Sequence, residues 1–266
     1  MAYTEWGDPA NPRVLLCVHG LTRNGRDFDD LARTLASHYR VVCPDVVGRG
    51  RSAWLPVKDD YQLPTYVADM VTLIARLDVD SVHWVGTSMG GLIGMLLASL
   101  PDTPIRRLVL NDVGPLVTLS SIQRIGQYVG QAPVFPSREA AEAYIREVSV
   151  PFGRLSDAQW RHLTEFSIRE AEGGWVMRYD PGIAEPFRKS PLVADVDLWS
   201  VYDAIVCPTL VVRGAESDLL LRETALEMGA RGPRARLVEV PEVGHAPMLM
   251  EPAQIAPIGD FLLEAD

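Results

Sequence analysis

Residues 85–91, VGTSMGG, join a β-branched and aromatic run, SVHWV (81–85), to a long apolar run, LIGMLLASL (92–100). Read as Gly86-Thr87-Ser88-Met89-Gly90, the stretch puts a hydroxyl at the turn from a strand into a helix. A side chain at the tip of so tight a turn is pushed toward strained backbone angles, tolerated only where its neighbours have no side chain to clash; Gly86 and Gly90 supply that space. The helix that starts behind Ser88 presents unbonded N–H groups and the positive end of its dipole. Ser88 is therefore either a nucleophile or one small residue in a structural glycine turn. A base and a carboxylate elsewhere in the chain decide between the two.

Outward from this turn, strand and helix patterns alternate. Continuous apolar strands read at RVLLCVHG (13–20), RVVCPDVV (40–47), SVHWVGTS (81–88), IRRLVLNDVG (105–114), CPTLVVRGAES (207–217) and RLVEVPEVGHAP (236–247). Amphipathic or apolar helices read between them at 26–39, 63–78, 89–101 and 219–232, with a last one over 251–265 whose start is blurred by Pro257. Strands without polar alternation belong to a parallel sheet covered on both faces, and the repeated order implies right-handed crossovers. The pattern predicts an α/β fold with a mostly parallel central sheet flanked by helices. From Pro115 to Asp203 the alternation stops, and helix-like segments follow one another between Pro and Gly breaks. The expected organisation is a core of residues 1–114 and 204–266 carrying a helical insertion, 115–203.

Composition narrows the class of function. The 266 residues carry 25 Lys and Arg against 35 Asp and Glu, a net charge of −10, which leaves no electrostatic footprint for nucleic acid or an anionic membrane. No apolar run reaches the roughly 18 residues of a membrane-spanning helix, and MAYTEWGDP shows no signal-peptide pattern; the expected location is the cytoplasm. Three cysteines at wide spacing, Cys17, Cys43 and Cys207, form neither a disulfide framework nor a metal motif. Neither a metal nor a cofactor is expected.

A nucleophilic serine needs a base, and there are five histidines. His38 and His162 read as surface or packing residues, His83 as a satisfied histidine within a strand, and His19 as a residue that shapes the loop after the first long strand. His245, in EVGHAP, lies in the loop after the last strand, and ligand chemistry in open α/β sheets collects at the carboxyl ends of strands. His245 is therefore the expected base. Its orienting carboxylate is expected to be Asp218, in the loop after strand 207–214, with Glu216 and Asp112 as alternatives. The chain order Ser88, Asp218, His245 suits this arrangement.

Together these stretches resemble the α/β-hydrolase superfamily over nearly the whole chain. His19-Gly20 after a strand resembles its oxyanion-loop motif, and Asp45-x-x-Gly48-x-Gly50-x-Ser52 its D-x-x-G-x-G-x-S turn. Ser217-Asp218 and Gly244-His245-x-Pro247 match its usual acid and base surroundings. The resemblance implies an oxyanion hole from the backbone N–H groups of Leu21 and Met89, and a helical cap at 115–203 that shapes the pocket. It also departs from the family, since the first strand is short or missing. The implied activity is hydrolysis of a small carboxylic ester through an acyl-enzyme, on a small-molecule acyl substrate, by a monomer or homodimer. Meta-cleavage-type C–C hydrolysis and lactone hydrolysis use the same residues, and a non-catalytic ligand-binding member is the alternative from another class. Arg23, Asn24, Trp160, Trp175 and Tyr179 are the expected pocket residues.

Overall fold

A computed structural model describes residues 1–189 and 193–265. Its centre is a seven-stranded sheet whose strands lie side by side in the order 3–6, 40–44, 14–18, 82–87, 105–111, 209–214 and 236–240. In chain order the core begins with β1 (Tyr3–Trp6), β2 (Val14–Val18), α1 (Asp29–Leu35), β3 (Arg40–Pro44) and α2 (Leu63–Arg76). It continues through β4 (Val82–Thr87), α3 (Met89–Ala98) and β5 (Ile105–Asn111), and resumes after the insertion with β11 (Thr209–Gly214), α9 (Arg222–Met228), β12 (Arg236–Val240) and α10 (Pro252–Leu263). Every strand pairing in the sheet is parallel except β1 on β3. The first strand, expected to be short or missing, is a four-residue antiparallel edge.

The unbroken apolar strands follow from burial on both faces. Side chains alternate across a strand, so Leu16, Trp84, Leu108, Leu110 and Val211 face one layer with Met70 of α2 and Ile93 of α3. Leu15, Cys17, Val85, Val109 and Val212 face the other, with Leu31 and Leu35 of α1 and Ile258 and Phe261 of α10. All three cysteines are buried and free. Pro252 fills the first turn of α10, where its missing N–H costs nothing, and Pro257 lies inside the helix.

Residues 115–203 are not wholly helical. The helices α4 (Leu119–Gly126), α5 (Arg138–Val148), α6 (Asp157–Ser167), α7 (Glu185–Lys189) and α8 (Trp199–Asp203) are joined by five short strands. β7 (Val134–Phe135), β8 (Ile168–Ala171) and β9 (Gly174–Met177) form an antiparallel sheet, and β6 (Leu116–Val117) pairs with β10 (Val196–Asp197) across the base of the insertion. The helix read through SDAQWRHLTEFSIREAE stops at Ser167, and Ile168 begins a hairpin instead. Strands of two to four residues are too short for alternation to show in the sequence.

The insertion is tied to the core turn that follows β3. Gly50 N–H donates to the Arg178 carbonyl and Asp180 N–H to that of Gly48. Tyr61 donates to the Asp180 carboxylate at 2.7 Å, and Lys58 pairs with the same group.

Candidate active site

β4 ends at Thr87, α3 begins at Met89, and Ser88 between them has φ 53° and ψ −116°. Left-handed φ costs a non-glycine residue of order 1–3 kcal/mol and persists only where the surroundings impose it. Here the two glycines are required. A Cβ on Gly86 would lie 2.3 Å from the Gly90 carbonyl oxygen, and one on Gly90 would lie 1.9 Å from that of Val18. Ser88 N–H donates to the Asn111 carbonyl at 3.0 Å, which fixes the turn against the end of β5.

His245 and Asp112 complete the constellation. His245 Nε2 lies 3.0 Å from Ser88 Oγ, and its Nδ1 lies 2.7 Å from Asp112 Oδ2. Asp112 is fully buried, while His245 is 12% exposed at the cleft. Two further donors converge on the Asp112 carboxylate: Gly214 N–H at 2.9 Å and the Ser217 hydroxyl at 2.6 Å. The Ser217 oxygen accepts from Leu219 and Leu220 N–H, so its own proton is directed to Asp112. With Asp112 accepting from Nδ1–H, the imidazole presents a lone pair on Nε2 to the serine hydroxyl.

Asp218 does not reach this cluster, contrary to the sequence expectation. Its carboxylate is 52% exposed and pairs with Arg124 of α4. In the turn after β11 it is Ser217 that points inward, so its neighbour points away. Glu216 is also exposed. Asp112, by contrast, has φ 54°, and its N–H donates to the Val212 carbonyl at 2.7 Å, which pins its turn against β11.

The loop after β2 runs beside Ser88. His19 is fully buried, with Nδ1–H donating to the Gly20 carbonyl at 2.7 Å and Nε2 accepting from Val46 N–H at 2.9 Å. Burial pulls its pKa from 6.5 down to about 4, so the ring is neutral and shapes the loop. Leu21 and Met89 flank the serine turn. The Met89 N–H is the first of α3 and so has no helical acceptor, and no described residue accepts from either N–H. Behind both sits Arg49, fully buried. It donates to the carbonyls of Leu21 and Val47 at 2.8 Å and to the Tyr66 hydroxyl at 3.0 Å, and it lies 3.7 Å from Met89 Sδ.

A cleft with a cavity volume of about 100 Å³ opens over Ser88 and His245, lined by the core loops and by the insertion. Of the expected pocket residues, Arg23 and Tyr179 line it. Asn24 instead turns into the protein, accepting from Arg26 N–H and donating to the Phe166 carbonyl. Trp160 and Trp175 pack in the apolar centre of the insertion with Phe135, Ile145 and Leu163. The residues that sequence reasoning missed are Arg124, Tyr128 and Tyr144, which face the cleft from α4 and its end and from α5, and Asn111, whose amide donates to Thr87 Oγ1 and the Pro247 carbonyl and so ties the serine turn to the His245 loop. Asp112 carried the same signal as Asp218, an acid just past a parallel strand. Asn111 carried none, and Ser217 entered only as the neighbour of Asp218 in the family resemblance.

Among the described residues no group of three or more His, Cys, Asp or Glu side chains could hold a metal ion, and no helix is long and apolar enough to cross a membrane.

Comparison with known proteins gives a consistent picture. A profile of the Alpha/beta hydrolase family matches residues 15–258. The 3-hydroxybutyrate-oligomer hydrolase of Cupriavidus necator is 55% identical over 100% of this chain and 93% of its own length. The 2-hydroxymuconate semialdehyde hydrolase of a Pseudomonas species is 28% identical over 87% of this chain and 79% of its own. Among solved structures, an alpha/beta hydrolase from Novosphingobium aromaticivorans superposes with a TM-score of 0.88 at 40% identity, covering 98% of this chain and 92% of that one.

Proposed function

The chain belongs to the alpha/beta hydrolase family, and from that premise we propose that it is a serine hydrolase that cleaves short carboxylic esters, oligomers of a hydroxy acid among them. The carrying observation is the unbroken line Ser88 Oγ to His245 Nε2, and His245 Nδ1 to Asp112. Ser88 attacks the acyl carbon while His245 takes its proton; His245 then returns that proton to the leaving alkoxide, and the alcohol departs. A water molecule, deprotonated by the same imidazole, attacks the acyl-serine carbonyl; the imidazolium returns that proton to Ser88 Oγ as the acyl–oxygen bond breaks, and the acid departs. Asp112 holds the tautomer this needs and stabilises the imidazolium. Leu21 and Met89 N–H groups take the negative charge that develops on the carbonyl oxygen, each worth about 10²–10³ in rate.

In this reading residues 115–203 act as the cap that roofs the cleft, and Arg23 and Tyr179 belong to the pocket. The 55% identity to the Cupriavidus necator enzyme favours hydroxybutyrate-type esters over C–C or lactone bonds. Three free buried thiols suit a reducing cytoplasm, and nothing in the reaction calls for more than one copy of the chain.

The test is turnover of p-nitrophenyl acetate and of a linear hydroxybutyrate dimer. The wild type hydrolyses both, and Ser88→Ala lowers the rate by about 10⁶ with the melting temperature kept. Comparable turnover in Ser88→Ala would overturn the assignment.

A further inference from the structure

Three charged side chains line the cleft among the described residues: Arg23, Asp27 and Arg124. Two of them cancel. Arg23 grips Asp27 with two parallel contacts, Nε–Oδ2 at 2.8 Å and Nη2–Oδ1 at 2.6 Å, and gives its third nitrogen to Ser167 Oγ at 2.9 Å. Both partners are nearly buried, so this guanidinium is spent in place.

Arg124 is differently placed. It faces the cleft from α4, is 34% exposed, and its ion-pair partner Asp218 is more exposed still. Such open pairs hold weakly, because water readily replaces the partner. Asp218 engages two of the Arg124 nitrogens: Nη2 donates to Oδ1 at 3.0 Å, and Nε lies 2.5 Å from Oδ2 without a hydrogen-bond acceptor among the described residues. One helical turn on, Tyr128 also lines the cleft. Arg124 is therefore the cation in the cleft whose forked donors are held only by an exposed, displaceable partner, with a phenol nearby. A planar fork of this kind matches a carboxylate. An acidic chain of net charge −10 repels anionic substrates, and a local cation inside the cleft offsets that.

Resting on the ester-hydrolase reading, we propose that Arg124 and the Tyr128 hydroxyl form a subsite for the free carboxylate of the substrate. The substrate class is then a short ester that ends in a free acid, such as a linear hydroxy-acid oligomer. Asp218 holds the guanidinium in the empty cleft and yields to the substrate carboxylate, which leaves the ester bond over Ser88.

The experiment compares a linear hydroxybutyrate dimer with its terminal carboxamide, isosteric and uncharged, by following cleavage of the internal ester. Arg124→Leu raises KM for the acid by tenfold to a hundredfold, as expected for loss of charge-assisted hydrogen bonds, and raises KM for the carboxamide, whose oxygen makes only neutral-acceptor hydrogen bonds, several-fold less. Asp218→Asn lowers KM for the acid several-fold, and Arg124→Lys, which keeps the charge without the fork, falls between wild type and Leu. Turnover of the carboxamide certifies the fold of each variant. Equal rises on both substrates, as a simple latch between insertion and core would give, overturn the subsite while leaving the hydrolase standing. A wild type inactive on both substrates overturns the hydrolase reading and the subsite with it.

Discussion

Two aspartates follow neighbouring parallel strands at the same edge of the sheet, Asp112 after β5 and Asp218 after β11. One is fully buried under three converging donors, and the other is half exposed beside one arginine. Position at a strand's carboxyl end is shared, so it cannot be what selects the acid of the triad. Selection comes from the direction each turn gives its side chain. Asp112 is aimed inward by a turn hydrogen-bonded to β11, whereas in the β11 turn the inward place is taken by Ser217.

The same contrast separates other pairs. Arg49 is buried among carbonyls and aromatic faces, while Arg124 sits on an open ion pair. Polar groups inside the protein are costly to disturb because their partners are left unsatisfied in a medium that cannot solvate them; exposed pairs lose little, since water replaces the partner.

That contrast can be broken or sharpened by a descending series. Asp112→Asn should lower kcat for ester hydrolysis by about 10⁴, equivalent to about 5.4 kcal/mol, by favouring the wrong imidazole tautomer; steady-state kinetics on p-nitrophenyl acetate reads it, and a loss below tenfold would place the acid elsewhere. Arg49→Met should cost about 3–5 kcal/mol of stability in urea unfolding, because the Leu21 and Val47 carbonyls and the Tyr66 hydroxyl each lose their donor; a change under 1 kcal/mol would show that the site relaxes freely.

His19 comes next. Its pKa is about 4 in the folded protein against 6.5 as the ordinary value, so between those limits the unfolded chain binds a proton that the folded one refuses. Its contribution to stability is complete above pH 6.5 and falls by on the order of 3 kcal/mol as pH drops to about 4. The slope of unfolding free energy with pH should shrink over this window in His19→Gln. An unchanged slope would assign the pH dependence to other groups.

Ser217→Ala removes one of the three donors on Asp112 and should cost about 1–3 kcal/mol, read as a fall in kcat of tenfold to a hundredfold with little change in KM. Asp218→Asn stands at the bottom of the series, with kcat on p-nitrophenyl acetate within about threefold of wild type.

The sequence made the core legible because two-faced burial writes itself as uninterrupted apolar runs, and Ser88 and His245 legible because each lies just past such a run. Met89 and Leu21 had no such signal of their own and entered only through the resemblance to a known family. Nothing comparable marks the insertion, where strands of two to four residues leave no periodicity and where Trp160 and Trp175, aromatics that suited a pocket, pack against each other's neighbours instead. The direction of a side chain in a turn is likewise invisible in a list of residues. The sequence favours Asp218 with Asp112 as an alternative, and the hydrogen bonds of the two turns reverse that order.

The most direct measurement is the rate at which a fluorophosphonate labels Ser88, mapped by peptide mass, in wild type, Asp112→Asn and Asp218→Asn. The Ser88–His245–Asp112 arrangement predicts labelling at Ser88 in all three, with Asp218→Asn close to wild type and Asp112→Asn slower by orders of magnitude. Label on another residue, or a slow Asp218→Asn beside a fast Asp112→Asn, would contradict it.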